Sequence, residues 1–168
     1  MAKAVGEGAG RNWTDATSAE IDAWMAQIVD EVRRPEVVTA ICSGNTDPAS
    51  PATLICAAAL QRVLLGWVRY AAVFGSCAYV IDRDDSDLDI LLVGDDVTGR
   101  GRAIVRCVAT ATSGKEEIDI QQIESHKFSE LASDATSYLV DLAAGPLVMI
   151  VGDASEFRDA VLVNHRLP

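Results

Sequence analysis

Apolar residues recur at helical spacing near the start of the chain. Thr17 and Glu20 match a capping box, in which the side chain of each residue accepts a hydrogen bond from the backbone amide of the other at the start of a helix. The apolar positions that follow are three or four residues apart: Ile21, Trp24, Met25, Ile28 and Val32. This pattern predicts a helix that ends near Arg34. Ser50 as N-cap and Pro51 at the first helical position predict a second helix that ends near Gly66.

Later segments alternate between strand and helix patterns. Runs of apolar or alternating residues predict strands at 68–74, 88–93, 117–123 and 147–151. Helical patterns predict helices at about 104–112, 126–144 and 155–163, the second of them ended by Gly145-Pro146. This alternation predicts an α/β or α+β fold. We expect residues 1–16 to be a flexible leader and 17–168 to form a single domain.

The size and composition of the chain suit a small cytoplasmic protein. Its 168 residues can bury one core but are too few for a catalytic domain with a large second domain. No apolar run approaches the roughly 20 residues of a membrane-spanning helix, and the polar start does not resemble a signal peptide. The four cysteines have no C-x-x-C spacing, so we expect neither a zinc site nor a disulfide framework.

The formal net charge of −11 bears on the kind of partner. Affinity for a nucleic-acid backbone comes from clustered Lys and Arg, so this charge disfavours a nucleic-acid partner. A local basic groove remains compatible with an acidic total. We therefore expect a small-molecule or protein partner, with a homodimer as a further arrangement, and no membrane association.

A Gly-Ser pair at the end of a predicted strand is the first candidate for chemistry. Gly75 permits a tight exit from strand 68–74 and close approach of a ligand to the backbone. Ser76 offers a hydroxyl at a position where amides of a following helical turn can face phosphate oxygens. Gly75 and Ser76 are therefore candidate nucleotide-binding residues that hold phosphates.

Two aspartates at the start of strand 88–93 are the second candidate. Asp87 and Asp89 are two positions apart, so their side chains project from one face while Leu88 and Ile90 point into the core. Carboxylates are the ligands that Mg²⁺ prefers, and Mg²⁺ usually adds waters and substrate phosphate oxygens. This pair predicts a metal site that a nucleotide completes.

Asp119 is the third carboxylate of the predicted site. It lies at the centre of strand 117–123, and its carboxylate faces opposite to the apolar Ile118 and Ile120. If its strand lies beside the Asp87 strand in register, the three aspartates can share two ions about 4 Å apart, an arrangement that stabilises attacking and leaving oxygens. Asp119 could then also accept the proton of the attacking hydroxyl.

At these residues the sequence resembles the minimal members of the DNA polymerase beta-like nucleotidyltransferase superfamily. The shared pattern is Phe74-Gly75-Ser76, then Ser86-Asp87-Leu88-Asp89-Ile90, then Asp119, and the resemblance covers roughly residues 52–163. It implies a small mixed sheet flanked by helices and two Mg²⁺ ions, with Mn²⁺ as a substitute. It also implies transfer of a nucleoside monophosphate from a nucleoside triphosphate, ATP being one candidate, to a small-molecule or protein acceptor, with release of pyrophosphate.

The resemblance leaves two other functions open, and one segment departs from it. The chain could be an antitoxin-like member that binds and modifies a HEPN-type toxin, or a non-catalytic nucleotide-binding domain. Many minimal members have an Arg-Gly pair where this chain has Tyr79-Val80, which could instead continue a helical turn. The cation for the triphosphate would then come from elsewhere, and the candidates are Arg83, Lys115 and Lys127.

Overall fold

A computed structural model describes residues 15–43, 49–79, 86–95, 97, 99–134 and 137–162. The predicted leader therefore lies outside the described residues, except for its last two positions. Among the residues described, each helix is too short or too polar to cross a membrane.

The described residues form seven α-helices, four strands and one 3-10 turn. The helices are α1 (Ser18–Val32), α2 (Pro35–Ser43), α3 (Pro51–Leu64), α4 (Gly99–Ser113), α5 (Ser125–Ala132), α6 (Tyr138–Ala144) and α7 (Ala154–Leu162). The strands are β1 (Tyr70–Phe74), β2 (Leu88–Val93), β3 (Ile118–Ile123) and β4 (Val148–Val151), with the 3-10 turn at Gly75–Ala78. All four predicted strands are confirmed, and the capping box forms at Thr17.

The four strands form one mixed sheet in the order β3-β2-β1-β4. β1 pairs antiparallel with both β2 and β4, whereas β2 and β3 are parallel. Helix α4 connects the parallel pair, as parallel neighbours require a crossover. The predicted fold class, an α/β (α+β) fold with a small mixed sheet flanked by helices, is confirmed.

Helices cover both faces of this sheet. Side chains from α1, α3 and α4 pack on one face, against residues such as Val73, Ile90 and Ile120. Side chains from α5, α6 and α7 pack on the other face, against Tyr70 and Leu91 among others. The alternation of side chains along each strand sends successive residues into these two clusters. We call the second face the α5–α7 face.

The observed helices differ from the predicted ones in two places. Helix α2 lies in a segment for which no element was predicted, and none of its residues is fully buried. Its first residue, Pro35, has the fixed φ that suits a helix start.

The single helix predicted at 126–144 is in fact two helices, α5 and α6. The Ser133 amide donates to the carbonyls of Glu130 and Leu131, and the Ser137 amide donates to the Asp134 carbonyl 3.0 Å away. The intervening polar residues compete for backbone hydrogen bonds and favour turns over a helix interior. The apolar spacing continued through the break and concealed it.

Candidate functional site

The Gly75-Ser76 pair lies where β1 ends and the 3-10 turn begins. Phe74 is the last extended residue, and Gly75 adopts φ +68°, a left-handed conformation that favours glycine. The turn closes with the Tyr79 amide donating to the Ser76 carbonyl over 3.1 Å. The predicted tight exit from the strand is therefore present, with Ser76 half-buried in the turn.

Gly75 also lies directly against the Asp89 carboxylate. Phe74 is paired with Asp89 across β1 and β2, so the next residue of the chain crosses the end of that pair. A Cβ at position 75 would overlap Oδ2 of Asp89 and lie 3.3 Å from its Cγ. Only glycine therefore lets the turn and this carboxylate approach so closely.

The register of β2 and β3 brings two of the predicted aspartates together. Asp89 pairs with Asp119 in the parallel ladder, so the two side chains leave the sheet side by side on the same face. Asp89 is half-buried and Asp119 is exposed. The prediction for Asp119 required its strand to lie beside the Asp87 strand in register, and the structure has this register.

The electrostatics of Asp89 reflect this crowding. Burial raises the pKa of its carboxyl above the ordinary value, and the neighbouring Asp119 and Asp87 raise that pKa further. Like charges in a partly desolvated place disfavour ionisation of the middle group. A bound cation would relieve this repulsion, which makes the arrangement suited to a positively charged ligand.

Asp87 lies just before β2 and is exposed. Its backbone carbonyl accepts a hydrogen bond from the buried Cys77 thiol over 3.1 Å. This bond ties the 3-10 turn to the start of β2. The Gly-Ser turn and the Asp-Leu-Asp segment are therefore fixed to each other as well as close in space.

The three aspartates do not by themselves enclose an ion. Among the described residues, no three His, Cys, Asp or Glu side chains converge closely enough to hold a metal. The donors nevertheless suit Mg²⁺, which usually takes one or two protein carboxylates and completes its shell with waters and substrate phosphates. Asp89 and Asp119 are the pair that would supply these donors, with Asp87 beside them.

The structure separates the three predicted cation candidates. Arg83 lies outside the described residues. Lys115 lies in the loop that enters β3, at the end of the strand near Asp119, and is buried. Lys127 lies beyond the opposite end of β3, where its amine is 3.0 Å from Glu130 Oε2. Of the two candidates that the structure describes, Lys115 is the one at the end of the sheet where the aspartates lie.

Two arginines that the sequence analysis missed lie along the open edge of β3. Arg106 donates to the Ile118 carbonyl over 2.6 Å, and Arg102 donates to the Ile120 carbonyl over 3.0 Å. These carbonyls flank Asp119 in the sequence. The four-residue spacing of the arginines in α4, a helix without any acidic residue, was the signal available.

The segment after the turn differs from the expectation of a continued helical turn. Tyr79 is extended, with φ −107° and ψ 162°, and its side chain is exposed. The turn therefore ends at Ala78, and Val80 lies outside the described residues. The extended residue cannot continue the turn because its backbone has already left the helical region.

No protein-family profile, curated protein sequence or solved structure matches this chain. The prediction of a nucleotide-binding and metal-binding site therefore depends on Gly75-Ser76, Asp87-Leu88-Asp89 and Asp119 themselves.

Proposed function

We propose that the protein is a metal-dependent nucleotidyltransferase. One observation carries the proposal: Asp89 pairs with Asp119 across parallel strands while Gly75 of the Gly-Ser turn contacts the same Asp89. A candidate phosphate-binding turn and two adjacent carboxylates therefore meet at one point. Such sites act on phosphates mainly by positioning and by electrostatic stabilisation.

In this proposal the Gly-Ser turn holds the phosphates of a nucleoside triphosphate. The absence of a side chain at Gly75 lets a phosphate approach the backbone, and the Ser76 hydroxyl can donate to a phosphate oxygen. Because the Cys77 thiol anchors the turn to Asp87, the phosphates would be held at a fixed position relative to the aspartates. The turn would therefore recognise the triphosphate of the nucleotide and not its base.

Asp87, Asp89 and Asp119 would hold the divalent ions, Mg²⁺ or Mn²⁺. When bound, the ions would neutralise negative charge that develops on the phosphoryl oxygens. The raised pKa of Asp89 supports this role, since three carboxylates together attract a cation. Asp119, the most exposed carboxylate of the strand pair, is placed to orient the acceptor.

The reaction that follows is transfer of a nucleoside monophosphate. The acceptor oxygen forms a bond to the α-phosphorus, the bond from that phosphorus to the bridging oxygen breaks, and pyrophosphate leaves with the electron pair. Asp119 takes the proton of the acceptor hydroxyl and passes it to solvent. A small-molecule or protein acceptor is consistent with the acidic net charge.

Nucleotide binding and transfer provide the test. Purified protein with Mg²⁺ should bind a labelled nucleoside triphosphate, measured by equilibrium dialysis against each of the four nucleotides. The double variant Asp87→Ala/Asp89→Ala should lose this binding. Asp119→Asn should keep part of the binding but lose pyrophosphate release by about 1,000-fold, a loss of about 4 kcal/mol of transition-state stabilisation.

A matched control separates metal ligation from general loss of acidic charge. Asp22 and Asp30 are exposed carboxylates of α1, which packs on the opposite face of the sheet from Asp89, and their double alanine variant also removes two negative charges. That control should bind nucleotide as the wild type does. Binding that is indifferent to Asp87→Ala/Asp89→Ala, or equally reduced in both double variants, would contradict the proposal.

A further inference from the structure

A pocket of about 540 Å³ opens where β3 ends and α5 begins. Its walls come from four elements and are mostly polar: Arg102, Gln122, Ile123, Glu124, Lys127, Leu131 and Tyr138. The pocket is polar and wide open to solvent, so it can admit part of a small polar molecule. The aspartates lie at the other end of the same strand, so the pocket is separate from the site already described.

The pocket has a charge character unlike that of the chain as a whole. The protein carries a net charge of −11, yet Arg102 and Lys127 both line this one cavity. Glu124 is the acidic side chain among the lining residues. Arginine and lysine that face a shared cavity are the usual recognition groups for phosphate and carboxylate.

The contacts of the two cations leave them able to bind a ligand. Arg102 donates one N–H to the Ile120 carbonyl, which fixes the guanidinium, and a guanidinium has five N–H groups. Lys127 pairs with Glu130 one helical turn along, and both side chains are more than half exposed. Such an exposed pair contributes little and can exchange for a better anion.

Strand β3 links the pocket to the carboxylate end of the sheet, since Ile123 lines the pocket and Asp119 lies four residues earlier on the same face. Asp119, Gln121 and Ile123 alternate on the α5–α7 face, and Gln121 Nε2 lies 3.4 Å from Asp119 Oδ2. Four residues of parallel strand span about 13 Å. A molecule of roughly this length or less, with its anionic end near Arg102, can therefore extend along β3 toward Asp119.

We propose that this pocket binds the anionic group of a small hydroxylated molecule such as a sugar phosphate or a sugar acid. Arg102 and Lys127 hold the anion, and Tyr138 and Gln122 contribute polar contacts at its rim. That this molecule is the acceptor of the transfer, with a hydroxyl directed toward Asp119, rests on the proposed function. Binding of the anion in the pocket is independent of the proposed function.

The test is a titration of the ¹⁵N-labelled protein followed by NMR, in EDTA and without nucleotide. Three probes are compared: D-ribose 5-phosphate, D-gluconate and uncharged D-ribose. The two anions should shift the amide signals of residues 122–131 and Tyr138, and D-ribose should not. Equal shifts with D-ribose, or shifts confined to Gly75–Ala78, would overturn the inference.

Variants of the pocket charges should move the affinity in opposite directions. Lys127→Gln should weaken D-ribose 5-phosphate binding about tenfold, the effect of one lost charge-assisted hydrogen bond. Glu130→Gln should tighten binding about twofold because it releases Lys127, and Glu124→Gln should tighten it as well. Since Lys127 is exposed, its replacement leaves folding intact. Unchanged affinity in Lys127→Gln would overturn the inference.

Two controls match these variants. Arg102→Gln should weaken binding of D-ribose 5-phosphate. Arg100 lies two residues away in α4 but donates to the Ala16 carbonyl, so Arg100→Gln should leave binding unchanged. Glu156→Gln changes the net charge as Glu130→Gln does, but in α7 outside the pocket, and should not tighten binding. An equal effect of Glu156→Gln and Glu130→Gln would overturn the inference in favour of a general charge effect.

The outcomes separate this inference from the proposed function. If the protein binds D-ribose 5-phosphate in the pocket but binds no nucleoside triphosphate, the anion site stands and the transferase proposal fails. If nucleotide binds through Asp89 while neither anion shifts the pocket signals, the transferase proposal stands and the anion site fails.

Discussion

The α5–α7 face of the sheet has two ends that differ in chemistry. At one end Leu91 and Val93 of β2 are fully buried, beneath an aromatic cluster of Tyr70, Phe128 and Phe157. The rings of Tyr70 and Phe157 meet edge to face at a centroid distance of 5.4 Å. At the other end, two positions before Leu91 on the same face of the same strand, is the half-buried Asp89 with Asp119 beside it.

This difference shows how one short strand serves two purposes. The buried end supplies apolar contacts that hold β2 in place. The carboxylate end gathers like charges, which oppose folding when no cation is present. We expect the stability of the fold to depend on the buried end and ligand binding to depend on the carboxylate end. Substitutions at the two ends should therefore differ in their effect on the free energy of unfolding.

The largest effect should come from truncation of the buried end. Leu91→Ala removes a side chain with no exposed surface and leaves a cavity, so the free energy of unfolding should fall by about 2–5 kcal/mol. Urea denaturation followed by circular dichroism measures the loss. Gln121→Ala, on the same face but half-buried near the aspartates, should change the free energy little. Comparable losses in both variants would contradict the division.

The next effect should come from the glycine that joins the two segments of the site. Gly75→Ala places a Cβ against the Asp89 carboxylate and forces alanine into φ +68°, which should reduce the free energy of unfolding by about 1–3 kcal/mol. Gly114→Ala is a matched control, because Gly114 has φ +75° but nothing within 4 Å of an added Cβ. The excess loss at Gly75, measured by urea denaturation, isolates the contact with Asp89.

Local patterns in the sequence predicted most of this fold. The apolar run in 88–93 and the alternation in 117–123 identified β2 and β3, and the two-residue period of a strand indicated which face carries the aspartates. Period-two alternation is a local property, so a single strand suffices to predict it. The division of residues 126–144 into α5 and α6 was missed, because apolar spacing is preserved across a polar turn.

The site depended on pairings that local patterns do not specify. That Asp89 lies opposite Asp119 follows from the register of two strands separated by a helix, and a shift of one residue would send one carboxylate to the other face. The positions of Arg102 and Arg106 depend on how α4 packs beside the edge of β3. Long-range contacts of this kind leave only indirect signals, such as the spacing of two arginines.

A smaller effect is expected at the open edge of β3. Arg106→Met removes the donor to the Ile118 carbonyl and should reduce the free energy of unfolding by about 1 kcal/mol. It should also expose part of an edge strand and so increase concentration-dependent association. Urea denaturation and light scattering over a range of protein concentrations measure the two effects. Stability equal to the wild type, with no association, would mean that the arginine does not protect the edge.

The smallest effect should have the opposite sign. Asp89→Asn removes a charge that is partly desolvated by burial and is repelled by Asp119 and Asp87, so the metal-free variant should be more stable than the wild type at pH 8. The gain should be less than about 1 kcal/mol, because Asp89 is only half-buried. With Mg²⁺ and nucleotide present the order should reverse, since only the wild type gains stability from a ligand that binds the folded state.

The pH dependence gives this last prediction its sign. The pKa of Asp89 is higher in the folded protein than its ordinary 3.8, so the folded state holds the proton more tightly. The wild type therefore loses stability as the pH rises from 3.8 to the raised pKa. The gain in Asp89→Asn should therefore be absent below about pH 3.8 and complete above the raised pKa. Asp95→Asn is the control, because the Ser125 amide lowers the pKa of Asp95, and its replacement should reduce stability at high pH. A metal-free Asp89→Asn protein that is less stable than the wild type at pH 8 would show that the carboxylate end contributes to the fold.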